Sequence, residues 1–224
     1  MSITFRPGLE VLPAAQRRLW PELAATPTDF TLYGGTAIAL RLGHRQSVDF
    51  DFFARTSFEP GTLFREIPYL KGAAIRQSAA NTLTVTVDRH GPVQLSFFGG
   101  LDLGQVAPAD FIEEPNLAVA ALIDLAGMKA AVVTQRAELR DYIDIHALLM
   151  QAGIPLADML AAGTIIYGAE FNPLLSLKAI AYHDDPDLAG LSDKIRHDLL
   201  KAVRVTNPQD LPALKPVRIR GATS

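Results

Sequence analysis

The chain has 224 residues, 49% hydrophobic and 20% charged, with 21 Lys and Arg against 24 Asp and Glu and a formal net charge of −3. Such a composition belongs to a globular protein able to bury a full-sized core, excludes a disordered chain and excludes a broadly basic surface, while leaving room for a local basic patch. The lack of cysteine rules out disulfides and thiolate metal sites. The opening MSITFRPGLE has no basic segment followed by an apolar one, and no run reaches the roughly 18 apolar residues that a membrane span needs. A cytoplasmic protein without a membrane partner is therefore expected.

In chain order, Pro13 can open a first helix, with Ala14, Leu19 and Leu23 on its apolar side. Residues 29–33 read as a short strand that stops at Gly34-Gly35. Thr36 to Leu42 is a compact helix ended by Gly43, and Val48 to Phe53 returns to a strand after a polar turn. Pro60 to Leu70 suits a helix and residues 73–78 a strand. Leu83, Val85 and Val87 alternate with Thr82, Thr84 and Thr86; beyond the turn Asp88-Arg89-His90-Gly91, Val93, Leu95 and Phe97 resume the alternation, as a β-hairpin requires.

Composition changes after Gly99-Gly100. Asn116 is a suitable N-cap for an alanine-rich helix from Leu117 to about Leu125. Residues 129–136, 140–151, 156–162, 173–182 and 191–203 also read as helical. The fold class expected is α+β: a mixed sheet with helices over residues 1–105, a helical domain over 106–205 and a tail over 206–224.

Asp49 and Asp51 are separated by one residue. On a strand their carboxylates share a face, with Cα atoms about 7 Å apart, while Phe50 and Phe52 point into a core. A bare Asp-Phe-Asp is more often a solvated strand edge. Two carboxylates in that relation can nevertheless share a divalent cation, and Mg²⁺ favours hard oxygens together with substrate phosphates. Gly34-Gly35 follows a strand and opens a helix, so its backbone amides can cradle a phosphate at the positive helix end. Taken alone, the pair is as readily a turn requiring positive φ.

The run from Leu32 to Phe53, LYGGTAIALRLGHRQSVDFDFF, resembles the opening motif of the AbiEii/AbiGii toxin type of nucleotidyltransferase, a polymerase-β-like minimal fold. A second stretch, Lys129, Arg136 and then RDYIDIHALL from Arg140, resembles the same family. The resemblance covers most of residues 28 to 150. It implies nucleotide contacts at Gly34, Gly35, Thr36, Arg45 and Ser47, and Mg²⁺ ligation by Asp49 and Asp51. Lys129 would then neutralise triphosphate charge, and Asp141 and Asp144 would complete or hold the site. It further implies an NTP substrate, an RNA acceptor (tRNA foremost) and a cognate antitoxin encoded nearby.

Polymerase-type transfer usually uses a third carboxylate on a neighbouring strand. The second hairpin strand is its natural carrier, yet its polar side holds Gln94 and Ser96, neither of which can act as a carboxylate base. Either Asp141 or Asp144 supplies that function, with Asp141 the better placed to accept a proton or to orient Lys129, or the chain is a catalytically inactive nucleotide-binding or interaction protein on the same fold. The five histidines lie dispersed without ligand spacing.

Overall fold

The computed structural model describes residues 4–217. Residues 1–3 and the end of the expected tail, 218–224, lie outside the described residues. The chain forms two compact units. One takes the residues up to Asp102 together with Ala109–Ala120; the other takes Leu103–Pro108 together with the residues from Ala121 onward.

The first unit is built on a seven-stranded mixed sheet of order β3-β4-β5-β2-β1-β7-β6. Its strands are β1 (Thr31–Tyr33), β2 (Asp49–Phe53), β3 (Ala74–Ala79), β4 (Thr82–Asp88), β5 (Pro92–Phe98), β6 (Asp110–Ile112) and β7 (Leu117–Val119). Central β2 runs antiparallel to β1 and parallel to β5. One sheet face is the core: Phe50, Phe52, Val85, Leu95 and Phe97 are all fully buried, and α1 (Ala14–Leu19) leads into a 3₁₀ turn whose Trp20 packs on Phe50 at 6.3 Å between ring centroids. The expected hairpin is present as β4 and β5, paired from Thr82↔Phe98 to Asp88↔Pro92.

The helix after the glycine pair, α2 (Gly34–Leu42), starts two residues earlier than the sequence suggests and ends as expected at Gly43, which has φ +64°. The segment expected as one helix from Pro60 divides into α3 (Pro60–Glu66) and a 3₁₀ turn at Pro68–Leu70, because Pro68 lacks the N–H that would continue the ladder.

A clear departure from expectation is at Asn116. Asn116 does not cap a helix beginning at Leu117: it has φ +69°, and Leu117–Val119 is strand β7, parallel to β1 through Thr31↔Ala118 and Leu32↔Val119, with β6 antiparallel beyond it. The open edge of β1 offers unpaired backbone groups whose satisfaction outweighs the local helix propensity of an alanine-rich run. Leu117 and Val119 are buried while Ala118 between them is half-buried, a period-2 signal only three residues long.

The second unit is helical: α4 (Leu122–Val132), α5 (Leu139–Met150), α6 (Leu156–Tyr167), α7 (Pro173–Ala181) and α8 (Asp193–Val205). Where the sequence suggested helices over 117–125 and 129–136, one helix runs from Leu122 through to Val132 and residues 133–136 are not helical. Gly127 is there for close approach, since a β-carbon on it would lie 2.8 Å from backbone atoms of Ala162 and Gly163 in α6. Residues 207–217 have no helix or strand, and Val217 N–H donates to the Gln105 carbonyl at 2.7 Å. No helix among the described residues is long and apolar enough to cross a membrane.

Candidate active site

Three elements of the sheet unit meet at Gly34. Strand β1 ends at Tyr33, whose Cα partner on β2 is Asp51. The chain then turns through Gly34 at φ +74° into α2. A β-carbon on Gly34 would lie 2.7 Å from Asp51 Oδ2, so the missing side chain provides the space that the carboxylate fills. Tyr33, at the N-cap, makes no side-chain cap hydrogen bond, and the first turn of α2 begins beside the Asp51 carboxylate.

Asp49 and Asp51 are half-buried on one face of β2, with Phe50 and Phe52 fully buried on the other. Alternation along the strand produces this split directly. Thr36 and Ser47, by contrast, are buried, at 1% and 2% exposure. Their hydroxyls lie 2.7 Å apart, and Thr36 Oγ1 also donates to the backbone carbonyl of Asp49. Both side chains thus tie the first turn of α2 to the start of β2 and fix where Asp49 begins. Arg45 is half-buried and donates to the Gln46 carbonyl at 2.8 Å.

Pairing with β5 puts Gln94 beside Asp49 and Ser96 beside Asp51, and β4 continues the rows with Thr86 and Thr84. The positions flanking the two acids on that side therefore carry amide and hydroxyl groups. Asp88 sits at the far end of the hairpin, where its carboxylate accepts from Gly91 N–H at 2.9 Å. Among the described residues no three His, Cys, Asp or Glu side chains are grouped to hold a metal. The Asp49/Asp51 pair still fits Mg²⁺, which commonly takes one or two protein carboxylates and completes its shell with water and substrate phosphates.

In the helical unit, Lys129 near the end of α4 is 8% exposed and is held by α5. Its Nζ lies 2.6 Å from Asp141 Oδ1 and 2.8 Å from Asp144 Oδ2, and both carboxylates are fully buried. Arg136 Nε adds 2.9 Å to Asp141 Oδ2. The three-residue spacing along one helical face brings the two acids to the same ammonium. Two cations facing two carboxylates make a charge-balanced set, the condition for keeping ions buried. The part played by Arg136 is not evident from the sequence, because it reaches Asp141 across a loop rather than at helical spacing. Arg140 pairs with Glu138 at 2.6 Å, and Tyr142 OH donates to the Ala179 carbonyl at 2.9 Å. His146 lies 2.9 Å from Asp198, whose carboxyl is held down to about 2 by hydrogen bonds from Lys194 and His146.

Comparison with known proteins places these features in context. The sequence profile of the family described as nucleotidyl transferase AbiEii toxin, type IV TA system, matches residues 18–211. An uncharacterized protein of Aquifex aeolicus (strain VF5) is 30% identical over 139 residues, which are 58% of this chain and 63% of that protein, so the chain matches less than two thirds of that relative's length. Two solved structures share the fold. The nucleotidyltransferase toxin MenT4 of Mycobacterium tuberculosis H37Rv superposes with TM-score 0.60 at 14% identity, over 87% of this chain and 84% of that one. A candidate nucleotidyltransferase of H. pylori superposes with TM-score 0.52 at 19% identity, over 85% and 90%.

Proposed function

The chain belongs to the AbiEii nucleotidyl transferase toxin family of type IV TA systems, and on that premise we propose that it is a Mg²⁺-dependent nucleotidyltransferase moving a nucleoside monophosphate from an NTP to an RNA acceptor, tRNA foremost. The observation that carries this reading is the juncture of Gly34 and Asp51: a glycine-opened helix start and a two-carboxylate strand meet at contact distance. The first serves phosphate oxygens; the second serves a cation that phosphates accompany.

In the proposed reaction the N–H groups at Gly34 and Gly35 hold the triphosphate. Mg²⁺, when bound by Asp49 and Asp51, supplies neutralisation of phosphate charge. An acceptor hydroxyl oxygen forms a bond to the α-phosphorus, the bond from that phosphorus to the bridging oxygen breaks, pyrophosphate leaves with the electron pair, and the hydroxyl proton passes to a base or to water. Arg45 is proposed as a phosphate contact. Thr36 and Ser47 act through Asp49, whose backbone they anchor. That Lys129 offsets triphosphate charge, with Asp144 fixing it, is proposed from the family resemblance alone. Of the two roles considered for Asp141, its geometry supports orienting Lys129, since both carboxylate oxygens are engaged by cations. The cognate antitoxin is proposed from family membership alone.

A second reading, a nucleotide-binding protein without transfer activity, is favoured by one observation: Gln94 and Ser96 occupy the positions beside Asp49 and Asp51. Calorimetry of Mg²⁺ and NTP tests what the two readings share. Cation-dependent NTP binding is expected in the wild type and lost in Asp49→Asn/Asp51→Asn. Equal cation-dependent affinity in the double variant removes the site.

A further inference from the structure

The face of β2 that carries Asp49 and Asp51 also carries Phe53, and register places Phe98 of β5 beside it. Tyr33, beside Asp51 on β1, stacks on Phe53 with ring centroids 4.8 Å apart and planes 19° apart. Phe98 meets Phe53 edge-on at 5.4 Å. All three rings are half-buried, whereas Phe50, Phe52 and Phe97 on the opposite face of the same strands are fully buried. The second trio is core. The first is a partly open aromatic surface that the interior does not account for.

Its position decides what it can serve. Tyr33 directly precedes Gly34, and Phe53 follows Asp51 by two residues, about 7 Å along the strand. The platform therefore starts where the phosphate and cation groups end. Aromatic rings bind the π-face of any base by stacking, without selecting its sequence identity.

We propose that Tyr33, Phe53 and Phe98 form a nucleobase-stacking platform, occupied by the base of the nucleotide whose phosphates rest at Gly34-Gly35. The inference rests on the proposed function, because that reading brings the phosphates to Gly34. It adds that this surface holds the base by stacking, which does not select its identity. The edge-on contact of Phe98 and the stacked contact of Tyr33 both steady the Phe53 ring.

The test compares Mg²⁺-dependent binding of ATP, CTP, GTP and UTP with that of inorganic tripolyphosphate, which has no base. Variants are Tyr33→Leu and Phe53→Leu, with Tyr33→Phe as the conservative control. The expected result is about ten-fold weaker NTP binding in each Leu variant, the size of one lost base–aromatic contact, with tripolyphosphate affinity unchanged and Tyr33→Phe like the wild type. Unchanged tripolyphosphate binding also shows that the variant is folded. NTP affinity that survives both Leu variants overturns the platform while leaving the phosphate site intact. NTP affinity that survives while a short single-stranded RNA binds about ten-fold more weakly also overturns it, assigning the rings to the acceptor's base. A wild type that binds neither tripolyphosphate nor NTP contradicts the proposed function itself.

Discussion

Gly34 and Asp51 share one volume: the carboxylate occupies the space that a side chain on the glycine would need, 2.7 Å from its β-carbon position. Because Gly34 also holds φ +74°, Gly34→Ala carries two separate penalties. The left-handed backbone costs about 1–2 kcal/mol, and the methyl group pushes Asp51 from its place. Gly43 separates the two, having φ +64° with nothing within 4 Å of its β-carbon position. Gly43→Ala is expected to lower stability by about 1–2 kcal/mol and leave Mg²⁺-dependent NTP binding as in the wild type. Gly34→Ala is expected to lose that binding as fully as Asp51→Asn. Melting curves beside calorimetry measure both effects, and equal binding by the two alanine variants contradicts the assignment.

The ion cluster around Lys129 predicts stability as well as function. Lys129→Met leaves the buried Asp144 without its 2.8 Å ammonium and Asp141 with Arg136 alone. Removing one partner of a buried pair costs about 3–5 kcal/mol; at about 2–4 °C per kcal/mol for a chain of this size, the melting point is expected to fall by roughly ten degrees. A shift below two degrees shows that the cluster is not a structural staple.

Asp141 and Asp144 are expected to differ. Asp141→Asn weakens the hold of the carboxylate on Lys129 and is expected to keep NTP binding within a few fold while lowering transfer about 10²-fold, the size of a small misplacement of a positioned group. Asp144→Asn is expected to lower the melting temperature together with the rate. Full transfer in Asp141→Asn, measured beside melting curves for both variants, removes Asp141 from the site.

Gly127 sets helix propensity against packing. Alanine gains about 1 kcal/mol in an isolated helix, but here its methyl group would lie 2.8 Å from backbone atoms of Ala162 and Gly163. Overpacking of that kind costs about 1–3 kcal/mol, so Gly127→Ala is expected to be neutral to destabilising under urea. A clear gain in stability contradicts the close helix approach.

Asp198 supplies a pH signature. Its folded pKa is about 2 against an ordinary 3.8, first through the hydrogen bond from Lys194 and then that from His146. A depressed carboxyl adds stability that is present above its unfolded value and lost as pH falls through the folded one. Asp198→Asn is therefore expected to flatten the acid limb between about pH 4 and 2, measured as melting temperature against pH. An unchanged acid limb contradicts the pairing.

Much of the sheet unit is legible in the sequence because its signals are local. Gly34-Gly35, the Asp49/Asp51 alternation and the Thr82–Phe98 hairpin each announce themselves within a few residues. Leu117–Val119 does not, because three residues of alternation inside an alanine-rich run look helical until the open edge of β1 is known. The close approach at Gly127 is likewise invisible until the partner helix is known. Arg136 and Phe98 meet Asp141 and Phe53 through loop closure and strand register, which spacing along the chain does not encode.

The most direct test of the account is incorporation of α-³²P-labelled NTP into total tRNA with Mg²⁺. The wild type is expected to label RNA from at least one of the four NTPs, and Asp49→Asn/Asp51→Asn is expected to label none while remaining folded. Equal labelling by the double variant, or none by the wild type across all four NTPs and a broad RNA pool, contradicts transfer at this site.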